Sequence, residues 1–144
     1  MKKRYVFVAA VIAALCAFTL ACTPIEKEPL VIKESDKYIV ITADSERVSI
    51  TNDTTLLDYM NSLKQSGELE FEIANGMVVS VNGIANAAPS YYWMLYTSDA
   101  DNANTAWGTA EYKGKTYGSA VFGAEKLKIK NGEIYIWVYQ SFQA

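Results

Sequence analysis

The chain has 144 residues, the length of one domain with short appendages. It has no histidine and only two cysteines, which argues against the usual nucleophile–base pairs of enzymes and against zinc sites. The formal net charge is −3, and no cluster of Lys and Arg follows the N-terminus, so we predict no nucleic-acid partner.

The N-terminus has the layout of an export signal. Lys2, Lys3 and Arg4 precede an uncharged, mostly apolar run over residues 5–21. Cleavage would remove the three basic residues and change the net charge from −3 to about −6. The run is slightly short for a membrane span, which takes about 20 residues, so a retained membrane anchor is the alternative to cleavage.

The sequence TLAC at residues 19–22 resembles the lipobox of bacterial lipoproteins. The resemblance implies that Cys22 carries lipid and that the folded part lies outside the cytoplasmic membrane. Cys16 would leave with the signal, so the domain would have no thiol for a disulfide, a metal or catalysis. We predict a lipoprotein signal peptide over residues 1–21 and a flexible, charged, proline-containing tether over 22–36.

Residues 37–144 are predicted to form the domain. Two β-branched segments, 37–42 and 47–51, indicate a hairpin. A helix follows, with capping residues at 52–54 and an end at Gly67, where a left-handed residue is favoured. Its apolar stripe has helical spacing and consists of Leu56, Leu57, Met60 and Leu63.

Two Asn-Gly dipeptides predict two more hairpins, because Asn-Gly suits a type I′ turn. The first spans residues 68–81 around Asn75-Gly76, and the second spans 126–139 around Asn131-Gly132. The expected pairs are Ile73 with Val78 and Phe71 with Ser80 in the first hairpin, and Ile129 with Ile134 and Leu127 with Ile136 in the second. Together the elements predict an α+β fold of six to eight strands, a curled mixed sheet with one helix packed across it.

The candidate functional face is the stretch 91–108. It starts as a β-prone aromatic segment, continues through a loop rich in Asp and Asn, and ends just after Trp107. Side chains alternate between the faces of a strand, so one interpretation assigns one set to the core and the other to a half-exposed face. The alternative is an aromatic platform for a planar or sugar-like ligand, formed by Tyr92, Trp93, Tyr96, Trp107 and Tyr112.

Oxygen ligands in the same loop make Ca²⁺ a second candidate. Asp99, Asp101 and Asn104, with Asn102 between them, supply the carboxylate and amide oxygens that this cation takes. Their spacing does not follow the EF-hand pattern, and Asx turns explain the composition without a metal. Both interpretations stay open from the sequence.

Four segments resemble the transcobalamin C-terminal-like domain, a module of bacterial surface proteins and of the vertebrate cobalamin carriers. They are TLLD at 55–58, VNGI at 81–84, YWMLY at 92–96 and IYIWVY at 134–139, and their order covers residues 45–142. The resemblance implies a β-grasp-like fold and a non-enzymatic role in ligand binding or surface display, with a corrinoid as one possible ligand.

The predicted function is therefore capture of a corrinoid or another small molecule at the cell surface by a lipid-anchored domain. The alternatives are an adhesion or structural module that binds a protein or glycan partner, and a Ca²⁺-binding surface domain. A small-molecule site predicts an aromatic pocket beside residues 98–108, whereas adhesion predicts a flat exposed patch. Glycoside hydrolysis by a carboxylate pair is the one enzymatic alternative, with Glu70, Glu72, Glu111 and Asp99 as candidates.

Overall fold

A computed structural model describes residues 24–142 of the chain. The predicted signal peptide and the predicted lipidation site, Cys22, lie outside these residues. Within 24–142, no helix combines the length and the apolar character that crossing a membrane requires.

The described residues form nine strands and one helix, which confirms the α+β class. A single 3-10 turn, Ala100–Asn102, precedes the seventh strand. In chain order the elements are β1 (Val31–Ser35), β2 (Tyr38–Thr42), α1 (Leu56–Gln65), β3 (Phe71–Ala74), β4 (Met77–Val81), β5 (Ile84–Ala85), β6 (Tyr91–Thr97), β7 (Ala103–Tyr112), β8 (Lys115–Ala120) and β9 (Ile134–Ser141).

The strands make two sheets, a six-stranded one in the order β1-β2-β9-β6-β8-β7 and a three-stranded one in the order β3-β4-β5. Every ladder between these strands is antiparallel, so the prediction of a mixed sheet is wrong. Parallel neighbours need a crossover connection, usually a helix. Here α1 lies between β2 and β3, which belong to different sheets, and so it serves no such crossover.

The six-stranded sheet is strongly curled. Although β2 and β7 lie far apart in the strand order, the hydroxyl of Tyr38 on β2 donates to the carbonyl oxygen of Glu111 on β7 at 2.6 Å. The curl brings Tyr112 and Tyr117 over the face that carries Val40 and Ile136. Both faces of the central strands are therefore buried.

The other face packs against α1 and forms the larger core. The buried residues of α1 are Leu56, Tyr59, Met60 and Leu63. They lie in one cluster with Ile39 and Ile41 of β2 and with Tyr135 of β9. The Tyr59 hydroxyl ties the helix to the sheet by donating to the carbonyl oxygen of Thr42 at 2.9 Å.

The ends of α1 follow from local sequence. Thr55 is the N-cap, and it forms a reciprocal capping box with Asp58, one residue after the predicted capping segment 52–54. Gly67 follows the C-cap Ser66 with φ of +77°, the left-handed conformation predicted for it.

Two predictions near the N-terminus are wrong. Residues 31–35, predicted as tether, form the edge strand β1, and Leu30 before them is buried because it covers the core. Residues 47–51, predicted as a strand, form no ladder. Turns replace that strand, since the backbone N–H groups of Arg47 and Val48 both donate to the carbonyl oxygen of Asp44.

The two Asn-Gly hairpins have different outcomes. The turn at Asn75-Gly76 is confirmed, with both residues at positive φ, and Ile73 pairs with Val78 as predicted. A bulge next to Glu72 then pairs Phe71 with Val81 instead of Ser80.

The second predicted hairpin does not form. Both edges of β9 are occupied by longer ladders, with β2 on one side and β6 on the other. The segment 126–130 instead supports the start of α1, where the Leu127 carbonyl oxygen accepts from the Leu56 N–H at 2.8 Å. Leu127 and Ile129 are still buried, as their apolar character requires.

Candidate functional site

The aromatic strand β6 lies in the middle of the large sheet, but only one of its edges is paired along its whole length. All of its residues, Tyr91–Thr97, pair with β9. On the other edge, the ladder to β8 includes only Tyr96 and Thr97. We call the unpaired part of this second edge, residues 91–95, the open edge of β6.

Residues 84–87 fasten the start of the open edge. Tyr91 and Ala87 exchange two backbone hydrogen bonds, each 2.9 Å long. The side-chain oxygen of Asn86 accepts from the Trp93 backbone N–H at 2.8 Å, and the Trp93 indole donates to the Ile84 carbonyl oxygen at 2.7 Å. The Asn86 side chain thus accepts the hydrogen bond that the Trp93 backbone N–H would otherwise donate to a neighbouring strand.

An apolar groove lies along the open edge. It consists of two depressions, of about 230 and 320 Å³, which share Met77, Val78, Trp93 and Met94 as lining residues. The remaining side chains that define this apolar groove are Asn86, Pro89, Tyr92, Leu95, Ser119, Ala120, Val121, Phe122, Ala124, Trp137 and Phe142.

Three large apolar side chains of this groove are exposed to solvent. The exposed fraction is 60% for Met77, 50% for Phe122 and 53% for Phe142. They come from the tip of the β3–β4 hairpin, from the segment after β8 and from the C-terminal end of β9. Exposed apolar residues that gather on one depression are typical of a binding surface, whereas isolated ones are not.

The groove also reaches a buried donor without a partner. Trp137 lines the smaller depression and is 4% exposed, and its indole Nε1 has no acceptor among residues 24–142. Buried side-chain donors nearly always have a partner. The cost of the missing bond is about 1–3 kcal/mol.

The structure does not bring the five predicted aromatic residues onto one surface. Tyr92 lines the apolar groove, edge-on to Phe142 at a centroid distance of 6.4 Å, and Trp93 is buried beneath the groove. Tyr96 and Tyr112 are buried in the cluster on the opposite face of the sheet. They are core residues because the curl of the sheet covers the face that a flat sheet would have left open.

Tyr96 is held in this core by a polar contact as well. Its hydroxyl accepts a hydrogen bond from the Gln140 side-chain amide at 2.6 Å. Burial raises the pKa of the phenol above its usual value of 10.0. The Tyr96 phenol is therefore neutral at physiological pH. Because its side chain is buried in the other core cluster, Tyr96 does not line the apolar groove.

Trp107 lies apart from the others and is 64% exposed. It belongs to a bulge of β7, residues 105–108, that interrupts the ladder with β8 between Asn104 and Thr109. The bulge turns this indole towards solvent at the edge of the sheet.

Sequence reasoning missed Met77, Phe122 and Phe142. Each lies at or just beyond the end of a strand, where no periodic pattern assigns its side chain to a face. The Asn75-Gly76 dipeptide predicts the turn before Met77, and the positive φ angles confirm it. No local sequence pattern indicates which element the Met77 side chain faces.

In the structure, the candidate calcium ligands of the Asp/Asn loop are engaged in contacts within the chain. Asp99 is buried, and its carboxylate accepts hydrogen bonds from Lys130 Nζ at 2.8 Å and from Asn102 Nδ2 at 2.7 Å. Lys130 Nζ also contacts the Asp101 carboxylate at 2.7 Å. A single ammonium group therefore already pairs with both carboxylates that a cation would need.

The remaining predicted ligand, Asn104, is used elsewhere. Its side-chain oxygen accepts from the Ala106 backbone N–H at 2.9 Å. Across residues 24–142, the structure has no group of three acidic, cysteine or histidine side chains arranged to hold a metal ion. Asx-turn chemistry accounts for the loop.

The ion pair sets the protonation of Asp99. Burial by itself raises the pKa of the Asp99 carboxyl. The hydrogen bonds from Lys130, Asn102 and the Asp101 backbone outweigh this effect, so the net pKa is lower than the ordinary value of 3.8. Hydrogen bonds to the Asp101 and Asp99 carboxylates raise the pKa of Lys130 above its ordinary value. The pair is charged at neutral pH and fixes the loop to the turn before β9.

A polar groove of about 680 Å³ lies beside this loop. Its polar lining side chains are Thr97, Ser98, Asn104, Thr105, Lys115, Thr116, Tyr117 and Glu133. It shares no lining residue with the apolar groove. The aromatic pocket predicted beside residues 98–108 is therefore replaced by a groove of hydroxyl, amide and charged groups.

A scan against protein-family models, a search of curated proteins and a search of solved structures each found no match for this chain. The resemblance to the transcobalamin C-terminal-like domain stays a prediction from the four sequence segments.

Proposed function

We propose that the chain is an exported, membrane-anchored binding protein without enzymatic activity, which captures a small, mainly apolar molecule in the apolar groove. The observation that carries the proposal is the gathering of Met77, Phe122 and Phe142, all at least half exposed, over the open edge of β6.

The energetics favour a ligand of modest size. Covering apolar surface is worth about 25 cal/mol per Å², and a Met or Phe side chain offers roughly 1.5–3 kcal/mol on full burial. The larger depression, about 320 Å³, is at the lower end of the range for small-molecule sites. Met77 and Met94 add adaptability, because the unbranched thioether side chain adjusts to ligands of different shape.

We further propose that the fold is β-grasp-like, as the resemblance to the transcobalamin C-terminal-like domain implies. The curled sheet with one helix packed across one face supports this assignment. A corrinoid belongs among the candidate ligands, although a macrocycle of that width would insert only one edge into the apolar groove.

The proposed anchor is lipid on Cys22. Since β1 begins at Val31, the chain between them spans at most roughly 30 Å when fully extended. This places the domain close to the membrane surface. Replacement of Cys22 by Ser is expected to abolish incorporation of labelled fatty acid and to release the protein from the membrane fraction; unchanged labelling would contradict the anchor.

Ligand capture is tested by thermal unfolding of the full-length protein with cobalamin, cobinamide, haem and decanoate as probes. A ligand that binds only the folded state stabilises it by about 2.7 kcal/mol at a concentration of 100 Kd, which raises the melting temperature. At least one probe is expected to give a dose-dependent rise.

The matched variants are Met77→Ser in the groove and Ile73→Ser outside it, since both residues are exposed on the same hairpin. The rise should be lost in the first variant and kept in the second. No rise with any probe, or an equal rise in both variants, would reject small-molecule capture and favour the adhesion alternative.

A further inference from the structure

The polar groove differs from the apolar groove in the chemistry of its lining. Ser98, Asn104, Thr105 and Thr116 contribute hydroxyl and amide groups, and Lys115 and Glu133 contribute one charge of each sign. A single cation is too little for a phosphate or a polyanion, and polar groups make up more than half of the exposed lining, which disfavours a purely hydrophobic ligand. The lining matches a neutral ligand with many hydroxyl groups.

One wall of the polar groove is fixed before any ligand arrives. The Ser98 hydroxyl donates to the Glu133 carboxylate and accepts from the Ile134 backbone N–H at 2.7 Å. The Ser98 backbone N–H donates in turn to the Ile134 carbonyl oxygen at 2.9 Å. The ion pair between Asp99 and Lys130 adds a further link between the same two segments. A preorganised wall lowers the entropic cost of binding.

An exposed aromatic ring lies next to the groove in the chain. Trp107 follows the lining residue Thr105 by two positions, in the same bulge of β7. An indole ring offers a flat apolar surface with little conformational entropy to lose. The apolar C–H face of a sugar ring stacks on such a surface, while its hydroxyl groups need donors and acceptors of the kind in the groove.

We propose that the polar groove, together with the exposed Trp107 in the same β7 bulge as the lining residue Thr105, binds a neutral oligosaccharide. This site is independent of the apolar groove, so the two proposals can fail separately. It would give a membrane-anchored domain a contact with surface glycans while its apolar groove holds another ligand.

The test uses the fluorescence of the full-length protein. Trp93 and Trp137 are 5% and 4% exposed, so acrylamide mainly quenches the emission of Trp107 within the described part of the chain. An array of neutral oligosaccharides is screened first, with heparin hexasaccharide as an anionic comparator. A neutral sugar that binds is expected to protect Trp107 from acrylamide in a dose-dependent way, and heparin is not.

The matched variants separate the two grooves. Titration of each variant on the oligosaccharide array, which does not depend on tryptophan emission, measures its affinity. Trp107→Ala and Thr116→Ala are expected to weaken binding of the neutral sugar by about tenfold each, whereas Phe122→Ala, an exposed aromatic of the apolar groove, leaves it unchanged. Because Trp107 and Thr116 are exposed, these changes do not threaten folding. Absence of any neutral ligand on the array, or equal affinity in Trp107→Ala and wild type, would overturn the proposal.

Discussion

The two ends of β6 differ in what lies beside them. Over residues 91–95, β6 has a strand on one side and an apolar groove on the other, whereas Tyr96 and Thr97 have a strand on both sides. The first end is fastened by the Asn86 side-chain amide and by the backbone hydrogen bonds between Tyr91 and Ala87, and the second continues into a loop held by the Asp99–Lys130 ion pair. A binding surface forms where a ladder stops, because the missing strand leaves side chains without cover.

Trp93 and Trp107 show the same contrast. Both belong to the aromatic stretch, yet Trp93 is buried with both of its N–H groups bonded and Trp107 is 64% exposed. Trp93 lies where β6 pairs with β9, and its side chain faces the core that contains α1. Trp107 lies in the bulge where β7 does not pair with β8. Substitutions at these positions test the contrast, and the expected losses of folding stability decrease from Trp93 to Asn86.

Replacement of Trp93 by Ala should lower the free energy of unfolding by about 3–5 kcal/mol, because it leaves a cavity and removes the bond to Ile84. Replacement of Trp107 by Ala should change that free energy by no more than about 0.5 kcal/mol. Urea unfolding followed by circular dichroism measures both. Comparable losses in the two variants would contradict the assignment of core and surface.

Replacement of Asp99 by Asn should lower the free energy of unfolding at pH 7 by about 1.5–3 kcal/mol, because charge-assisted hydrogen bonds to a buried carboxylate are lost. The folded-state pKa of Asp99 is below its ordinary value of 3.8, so the carboxylate stabilises the fold above that pH. This contribution is lost as the pH falls through the lower, folded-state pKa.

The difference between wild type and Asp99→Asn should therefore shrink as the pH falls below about 4. Urea titrations at several pH values measure it, and the other carboxyl groups cancel because both proteins have them. A difference that stays constant down to pH 2 would show that the ion pair does not stabilise the loop.

Replacement of Asn86 by Ala should lower the free energy of unfolding by about 1 kcal/mol, less than Trp93→Ala or Asp99→Asn, because water entering the groove can replace the lost acceptor for the Trp93 N–H. Hydrogen exchange of the Trp93 amide is expected to accelerate, while that of the Tyr96 amide is unchanged. Equal acceleration at both positions would indicate global destabilisation instead of release of the open edge.

The sequence alone determined the elements that depend on local geometry. Helix α1 has its stripe of apolar residues and ends at Gly67, and Asn75-Gly76 forms the turn that its φ angles favour. The strand β6 follows from its aromatic and β-prone composition. Each of these depends on dihedral preferences and hydrogen bonds within a few residues, which the sequence states directly.

The strand partners, and with them the positions of the apolar and polar grooves, depend on the tertiary structure. Asn131-Gly132 carries the same turn signal as Asn75-Gly76, but β2 and β6 occupy both edges of β9 and leave no place for residues 126–130. Lys130 contacts Asp99 although the two are 31 positions apart in the chain, and so a candidate cation ligand is paired with an ammonium group. Competition among strands for the same edges and the curl of the sheet are long-range effects, and no local pattern specifies their outcome.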